Sequence, residues 1–309
     1  MTTTVPVTTI NPYLVDGPPV VVTKASKPAQ AWVPEMSFGS MPNDGGNLIL
    51  SNEEAVEIRL NDPVAAKYLR KLIGARDMLH GQTRWCLWAL DVQPHEVRLS
   101  PTLRSKADAV RNYREKSDRP ATNALAEYPL RFGEIRQPSA RYLCLPRHPS
   151  QNRRHVPIAF FDPVDIAHDS TLVVPNANLF LFGILSSDMF TTWLMTVGGR
   201  IKSDFRISVG VVYNTFPFVS PSDKQRAAIE EAASAVLSAR VAHRGSTLSD
   251  LYDRATAPMD VVKAHVTLDR TVRRLYQPRA ALATELARQE ELFSRYAASP
   301  HHVLPEGRQ

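Results

Sequence analysis

The strongest constraint on the fold is a change in sequence character near Phe218. Before this residue, short apolar runs alternate with turns rich in Pro and Gly, as is typical of short strands and loops. After it, four segments carry helical patterns, at 222–242, 246–256, 259–276 and 278–298. The sequence therefore predicts an α+β protein, in which a mixed α/β domain is followed by a small all-α helical domain.

The same patterns predict four divisions of the 309-residue chain, which is long enough for two domains. Residues 1–50 are rich in Pro and Gly, and we expect them to be a connector that continues from an upstream domain. Residues 51–218 form the mixed domain and residues 219–298 the helical domain. We expect residues 299–309 to be a disordered tail.

Local signals predict the elements of the mixed domain. Ser51-Asn52-Glu53-Glu54 starts a short helix, and Asp62-Pro63 starts a second one. A basic helix is predicted at 100–116, and a single long apolar helix at 179–197, which Gly198-Gly199 ends. Strands are predicted at 85–90, 141–145, 156–161 and 171–174.

Composition and motifs exclude several classes of protein. Cys86 and Cys144 lie in apolar runs without CxxC spacing, which indicates buried thiols in a reducing compartment and no zinc site. No run of 18 apolar residues and no signal peptide is apparent, so we expect a cytoplasmic protein without a membrane partner. The sequence contains no dinucleotide-binding glycine motif, P-loop or H-E-x-x-H motif, and it offers no catalytic constellation.

Basic residues are concentrated between residues 104 and 154, in a chain whose net charge is +6. Such a stripe suits the phosphate backbone of a nucleic acid, and a solvated basic surface is the other interpretation. The basic residues are Arg104, Lys106, Arg111, Arg114, Lys116, Arg119, Arg131, Arg136, Arg141, Arg147, Arg153 and Arg154. Of these, Arg111, Arg114, Arg153 and Arg154 are predicted to contact the DNA backbone or to support the site.

Charged residues alternate in the segment that follows Gly198-Gly199. Lys202, Asp204 and Arg206 stand at every second position, and on an extended strand they would project to one face. A lysine or arginine can donate to guanine, and an aspartate can accept from the amino group of cytosine. We therefore predict a strand that reads the edge of a base pair, supported by Arg200 and Ser203. An exposed strand or turn with ordinary surface charges is the alternative.

The tripeptide Asn11-Pro12-Tyr13 invites comparison with the Asn-Pro-Pro-Tyr loop of amino-methyltransferases. Only one proline is present, and no glycine-rich cofactor loop precedes it. A turn is the interpretation we adopt.

At this point the motifs support a family resemblance. Residues 10–218 resemble, in order, the C-terminal part of MmeI-like restriction–modification enzymes, which join a nuclease, an adenine-N6 methyltransferase, a target recognition domain and a C-terminal helical domain. The most specific segments are Gly199-Arg200-Ile201-Lys202-Ser203-Asp204 and Val212-Tyr213-Asn214-Thr215-Phe216-Pro217. Further matching segments are Ile10-Asn11-Pro12-Tyr13-Leu14-Val15-Asp16, Arg84-Trp85-Cys86-Leu87-Trp88, Val156-Pro157-Ile158 and Phe182-Gly183-Ile184-Leu185-Ser186-Ser187.

The resemblance implies recognition of a short asymmetric site in double-stranded DNA. In the family, the positions that match Lys202 and Asp204 vary with the base pair read at one place, and Arg206 lies further along the same strand. The resemblance also implies that Arg153 and Arg154 lie in a basic segment close to DNA.

The family's nuclease, S-adenosylmethionine-binding and catalytic-loop motifs do not occur in this sequence. We therefore expect a DNA recognition module that is not catalytic alone, with S-adenosylmethionine and Mg expected only in other domains. The alternatives are the specificity subunit of a split adenine-N6 methyltransferase, which would act with a separately encoded methyltransferase or nuclease subunit, and an inactive gene remnant.

Overall fold

The computed structural model describes residues 9–278 and 282–301, and packing divides the chain into two compact units. The mixed unit comprises Ser37–Pro146 and Ala159–Val173, and the helical unit comprises Met1–Met36, Arg147–Ile158 and Val174–Gln309. Packing thus groups residues 174–218 with the C-terminal helices, whereas the sequence pattern groups them with the strands. The domain limits drawn from the sequence stay predictions.

The mixed unit contains short strands and six helices among the residues described. Its strands are β1 (Ser37–Phe38), β2 (Ile49–Leu50), β3 (Leu69–Ile73), β4 (Arg84–Leu87), β5 (Tyr142–Pro146), β6 (Ala159–Phe161), β7 (Ile166–Ala167) and β8 (Thr171–Pro175), the last two residues of which fall in the helical unit. Its helices are α1 (Asn52–Asn61), α2 (Pro63–Ala66), α3 (Ala75–His80), α4 (Pro94–Leu99), α5 (Pro101–Glu115) and α6 (Pro120–Ala124), and a 3₁₀ turn follows at Leu125–Glu127.

Two four-stranded sheets organise this unit, in the orders β1-β8-β5-β6 and β2-β4-β3-β7. In the second sheet β3 pairs with β4 antiparallel, whereas β3 and β7 are parallel. Side chains from β2, β3, β4 and α5 form its core, and Cys86 and Cys144 are both buried and free, as predicted. Burial raises the pKa of each thiol to about 12, so neither is a reactive thiolate at neutral pH.

The predicted basic helix is confirmed as α5, and its start is fixed by a cap. The hydroxyl of Ser100 accepts from the amide of Leu103 at 3.0 Å, and it donates to the buried carboxylate of Asp62 at 2.6 Å. Asp62 in turn caps α2 through the amide of Ala65. One carboxylate therefore joins the starts of two helices.

The helical unit contains the remaining elements of the described chain. They are α7 (Leu179–Leu185), α8 (Asp188–Val197), β9 (Gly199–Ile201), β10 (Asp204–Arg206), a π-helical turn (Val209–Tyr213), α9 (Asp223–Ala242), α10 (Leu248–Leu251), α11 (Met259–Tyr276) and α12 (Glu285–Ala297).

The single helix predicted at 179–197 was wrong, because the chain breaks at Ser186-Ser187 and turns by 49° between α7 and α8. The hydroxyl of Ser187 donates to the Ile184 carbonyl at 2.7 Å, which competes with the backbone hydrogen bond of a continuous helix. Asp188 then begins α8 and pairs with Arg273 on α11. The apolar pattern continues across the break since both helices are buried.

The C-terminal helices pack directly on α7. A Cβ atom on Gly183 would lie 2.8 Å from the Ile229 side chain of α9, so glycine permits this close approach. The predicted helix at 246–256 shortens to α10, and the last predicted helix is observed at α12; residues 279–281 and 302–309 lie outside the described residues.

The described part of the predicted connector is divided between the two units, and residues 9–36 pack within the helical unit. Tyr13 stacks on Phe293 with ring centroids 5.0 Å apart, and Trp32 packs on Phe180. The hydroxyl of Tyr213 donates to the Pro34 carbonyl at 2.7 Å. The Asn11 side chain accepts from the amide of Tyr13 at 2.9 Å, which confirms that Asn11-Pro12-Tyr13 forms a turn.

No single helix in the described part of the chain is long and apolar enough to cross a membrane. The bent pair α7 and α8 passes that criterion by length and composition only.

Candidate nucleic-acid interface

The predicted base-reading strand is a β-hairpin, so the prediction of one continuous strand was wrong. β9 and β10 pair antiparallel, with Ile201 opposite Asp204 and Gly199 opposite Arg206. Lys202 and Ser203 form the two-residue turn, and Lys202 has a φ of +55°, which side-chain-bearing residues rarely adopt. Lys202 therefore lies at the tip of the hairpin, and it does not share a strand face with Asp204 and Arg206.

The two faces of the hairpin differ in exposure. Asp204 and Arg206 share one face, since they are two residues apart on β10. On the other face Phe205 is buried, and the Arg200 guanidinium lies 4.4 Å from its ring centroid. Phe205 thus anchors the hairpin, and the side chains of Lys202 and Arg206 stay exposed, without an ion pair to any described residue.

A segment of the helical unit, Arg147–Ile158, begins alongside β10 and is called the supporting segment. The amide of Phe205 donates to the Pro149 carbonyl at 3.1 Å, and that of Ile207 donates to the Arg147 carbonyl at 3.0 Å. This is an antiparallel register, in which the segment acts as a third, irregular strand of the hairpin. Burial lowers the pKa of His148, and the nearby charges of Arg147 and Arg206 add to this effect.

Arg153 and Arg154 follow in the same segment but occupy different environments. Arg153 is half-buried, its guanidinium donates to the Ser249 hydroxyl at 2.9 Å, and burial lowers its pKa. Arg154 is exposed and faces a cavity of about 580 Å³ in the helical unit. Arg153 is therefore fastened to the protein, whereas Arg154 is accessible to a ligand.

Arg111 and Arg114, predicted together, have opposite environments in the mixed unit. Arg111 is exposed and pairs with Asp108 at 3.0 Å, which leaves it accessible. Arg114 has no exposed surface, and its guanidinium donates to backbone carbonyls at 2.7–3.0 Å. The acceptors are the carbonyls of Pro42, Asn43, Leu125, Tyr128 and Arg131. Predicting Arg114 as a DNA contact was wrong, because every donor nitrogen is already bonded inside the protein.

The basic stripe also separates along the chain. Its residues from Arg104 to Arg141 belong to the mixed unit, and Arg147, Arg153 and Arg154 belong to the helical unit. Several of the basic side chains are partnered locally, as for Lys106 with Glu54 at 3.6 Å and Arg141 over the ring of Phe160.

A charged network on the wall of the helical-unit cavity has no counterpart among the sequence motifs. His155 lies 3.0 Å from the carboxylate of Asp269, which also accepts from the Asp188 amide at 2.9 Å. The Asp188 carboxylate pairs with Arg273 and with Arg288. Since these partners lie far apart in the chain, no local pattern connects them. The network joins the segment after Arg147 to α8 and α11.

Two family models match consecutive parts of this chain. The family model for the MmeI target recognition domain matches residues 16–220, and that for the MmeI C-terminal domain matches residues 220–303. DNA methyltransferase A of Bacillus subtilis (strain 168) is 34% identical over 271 residues, which cover 88% of this chain and 31% of that protein.

Among solved structures, the chain matches the type IIL restriction–modification enzyme MmeI in complex with DNA. The TM-score is 0.90 at 38% identity, and the match covers 94% of this chain and 39% of that one. The chain thus spans well under half of the length of both relatives. The α+β class predicted from the sequence is confirmed.

The two family models meet at residue 220, and together they extend from residue 16 to residue 303. The hairpin, its supporting segment and the C-terminal helices all fall within them. The chain therefore belongs to the MmeI family, and it carries that family's target recognition and C-terminal domains.

Proposed function

We propose that this chain recognises a short asymmetric sequence in double-stranded DNA, and that the β9–β10 hairpin reads part of it. The observation that carries the proposal is an exposed, polar hairpin tip held on a buried anchor, in a chain whose structural relative was solved in complex with DNA. A two-stranded ribbon fits the major groove of DNA.

The proposed roles follow from the chemistry of each side chain. Lys202 at the tip donates to guanine, Asp204 accepts from the paired cytosine, and Arg206 contacts a further base on the same face. Arg200 and Ser203 support the turn, since the Arg200 guanidinium reaches the Ser203 carbonyl at 3.5 Å. Arg111 and Arg154, which are both exposed, contact phosphates and set the affinity without setting the sequence.

We further propose that the recognition serves a DNA methyltransferase or restriction activity carried by another part of a longer protein or by a separate subunit. The support is that one relative is a DNA methyltransferase of which this chain covers 31%. S-adenosylmethionine and Mg would then bind that catalytic part. Methyl transfer is expected only when the catalytic part is supplied, and transfer by this chain alone would contradict the proposal.

Selection of binding sites from random duplexes tests the recognition itself. The wild-type chain should enrich one asymmetric sequence, and Lys202→Glu combined with Asp204→Arg should change the preferred base pair at one position by about 1–3 kcal/mol. The control is Lys224→Glu with Asp223→Arg, an exposed pair at the start of α9 with the same charge exchange. An unchanged sequence from the hairpin variant would exclude the hairpin as a reader.

A further inference from the structure

A second turn lies beside the tip of the hairpin. The amide of Arg153 donates to the Ser150 carbonyl at 3.3 Å, which closes a four-residue turn with Gln151 and Asn152 at its two central positions. Both central side chains are exposed. Neither side-chain amide has a hydrogen-bond partner among the described residues.

The register of the supporting segment places this turn next to Lys202 and Ser203. Pro149 bonds to Phe205 and Arg147 bonds to Ile207, so continuing the antiparallel register brings residue 151 opposite residue 203. The amide of Gln151 confirms the approach, since it lies 3.4 Å from the Asp204 carboxylate. Two turn tips, each carrying exposed polar side chains, therefore stand side by side.

The second turn is fixed on both sides, which a reading element requires. Pro149 is buried before it, and after it the Arg153 guanidinium donates to the Ser249 hydroxyl at 2.9 Å. His155 is held by Asp269 at 3.0 Å. The amides of Gln151 and Asn152 are thus presented from a supported backbone, which lowers the conformational entropy lost on binding.

We propose that Gln151 and Asn152 read an A·T base pair adjacent to the base pair read from Lys202 and Asp204. A carboxamide offers one donor and one acceptor, and this pair matches N7 and the N6 amino group of adenine in the major groove. The proposal rests on the DNA recognition proposed above and adds a second reading element to it. A phosphate accepts hydrogen bonds only and would use the donor of the amide alone, whereas adenine engages both the donor and the acceptor, so a base contact is the better match for these side chains.

Binding-site selection with four chains tests the proposal: wild type, Gln151→Ala, Asn152→Ala and Asn152→Asp. Asn61→Ala is the control, because this exposed asparagine lies at the end of α1 in the mixed unit. At least one alanine variant should lose roughly tenfold preference for adenine at a single position, as expected for one bidentate contact. Asn152→Asp should move the preference at that position towards cytosine, if Asn152 supplies the contact.

The outcomes separate the two proposals. If the wild-type chain enriches a sequence and both alanine variants enrich the same one with equal preference at every position, the second turn is not a reader and hairpin recognition stands. A uniform loss of affinity for all sequences would also overturn the inference, since it would indicate a phosphate contact. If the wild-type chain enriches no sequence, the proposed recognition fails and this inference fails with it.

Discussion

Replacement of Arg114 by methionine tests whether this side chain holds the mixed unit together or contacts a ligand. Methionine retains much of the apolar stem and removes the guanidinium, which donates to five backbone carbonyls. These carbonyls belong to the segment before β2 and to the loops after α5. Without Arg114 they lose a common donor in a site that excludes water.

The expected magnitude follows from these bonds. At about 1.5 kcal/mol for each hydrogen bond to a charged group, the five contribute roughly 7.5 kcal/mol in gross terms. Burying a guanidinium costs several kcal/mol, and this cost disappears in the variant. The same burial lowers the pKa of Arg114. We therefore expect a net loss of about 4 kcal/mol in the free energy of unfolding, a large part of the stability of a typical domain.

Native-state hydrogen exchange measures this loss locally. Peptides from 101–131 should exchange faster in Arg114→Met, whereas peptides from α9 and α11 in the helical unit serve as an internal reference. Arg111→Met is the matched control, because it lies on the same helix and is exposed. It should leave exchange unchanged and lower the salt dependence of DNA binding by about one unit of slope. Wild-type exchange in Arg114→Met, together with a lowered salt slope, would refute the reasoning.

Two further predictions concern the hairpin and a buried histidine. Lys202→Gly should remove the base preference at one position and raise the melting temperature slightly. Lys202→Val should lower the melting temperature, because a positive φ costs a β-branched residue about 1–2 kcal/mol. A higher melting temperature for the valine variant than for the glycine variant would contradict this. Burial, with the charges of His155 and Arg240, holds the pKa of His265 well below its usual 6.5. Below pH 6.5 the unfolded chain therefore takes up a proton at this histidine that the folded chain does not. The free energy of unfolding should fall as the pH drops below 6.5. His265→Gln should flatten the decline of the melting temperature in acid, and a slope equal to that of wild type would contradict it.

Much of the secondary structure could be predicted from short-range signals. The basic helix predicted at 100–116 differs from α5 by one residue at each end, because an apolar period follows a serine that can cap it. The helix starts predicted at Ser51-Asn52-Glu53-Glu54 and at Asp62-Pro63 are also confirmed, since the side chains of Ser51 and Asp62 cap α1 and α2. The prediction of a continuous strand through Lys202 failed because Lys202-Ser203 lacks the glycine or asparagine that is usual in a hairpin turn.

The sequence by itself determined the order of the elements, the α+β class and the family, because these depend on local periodicity and on motifs that are contiguous in the chain. Only the tertiary structure decided which residues of one type are accessible. Arg111 and Arg114 lie three positions apart on one helix, yet one faces solvent and the other is enclosed by five carbonyls from distant segments. Likewise, Lys202 lies at the hairpin tip while Asp204 and Arg206 share one face of β10, since backbone pairing with β9 sets the direction of each side chain. Burial and pairing depend on residues remote in sequence, and no local pattern records them.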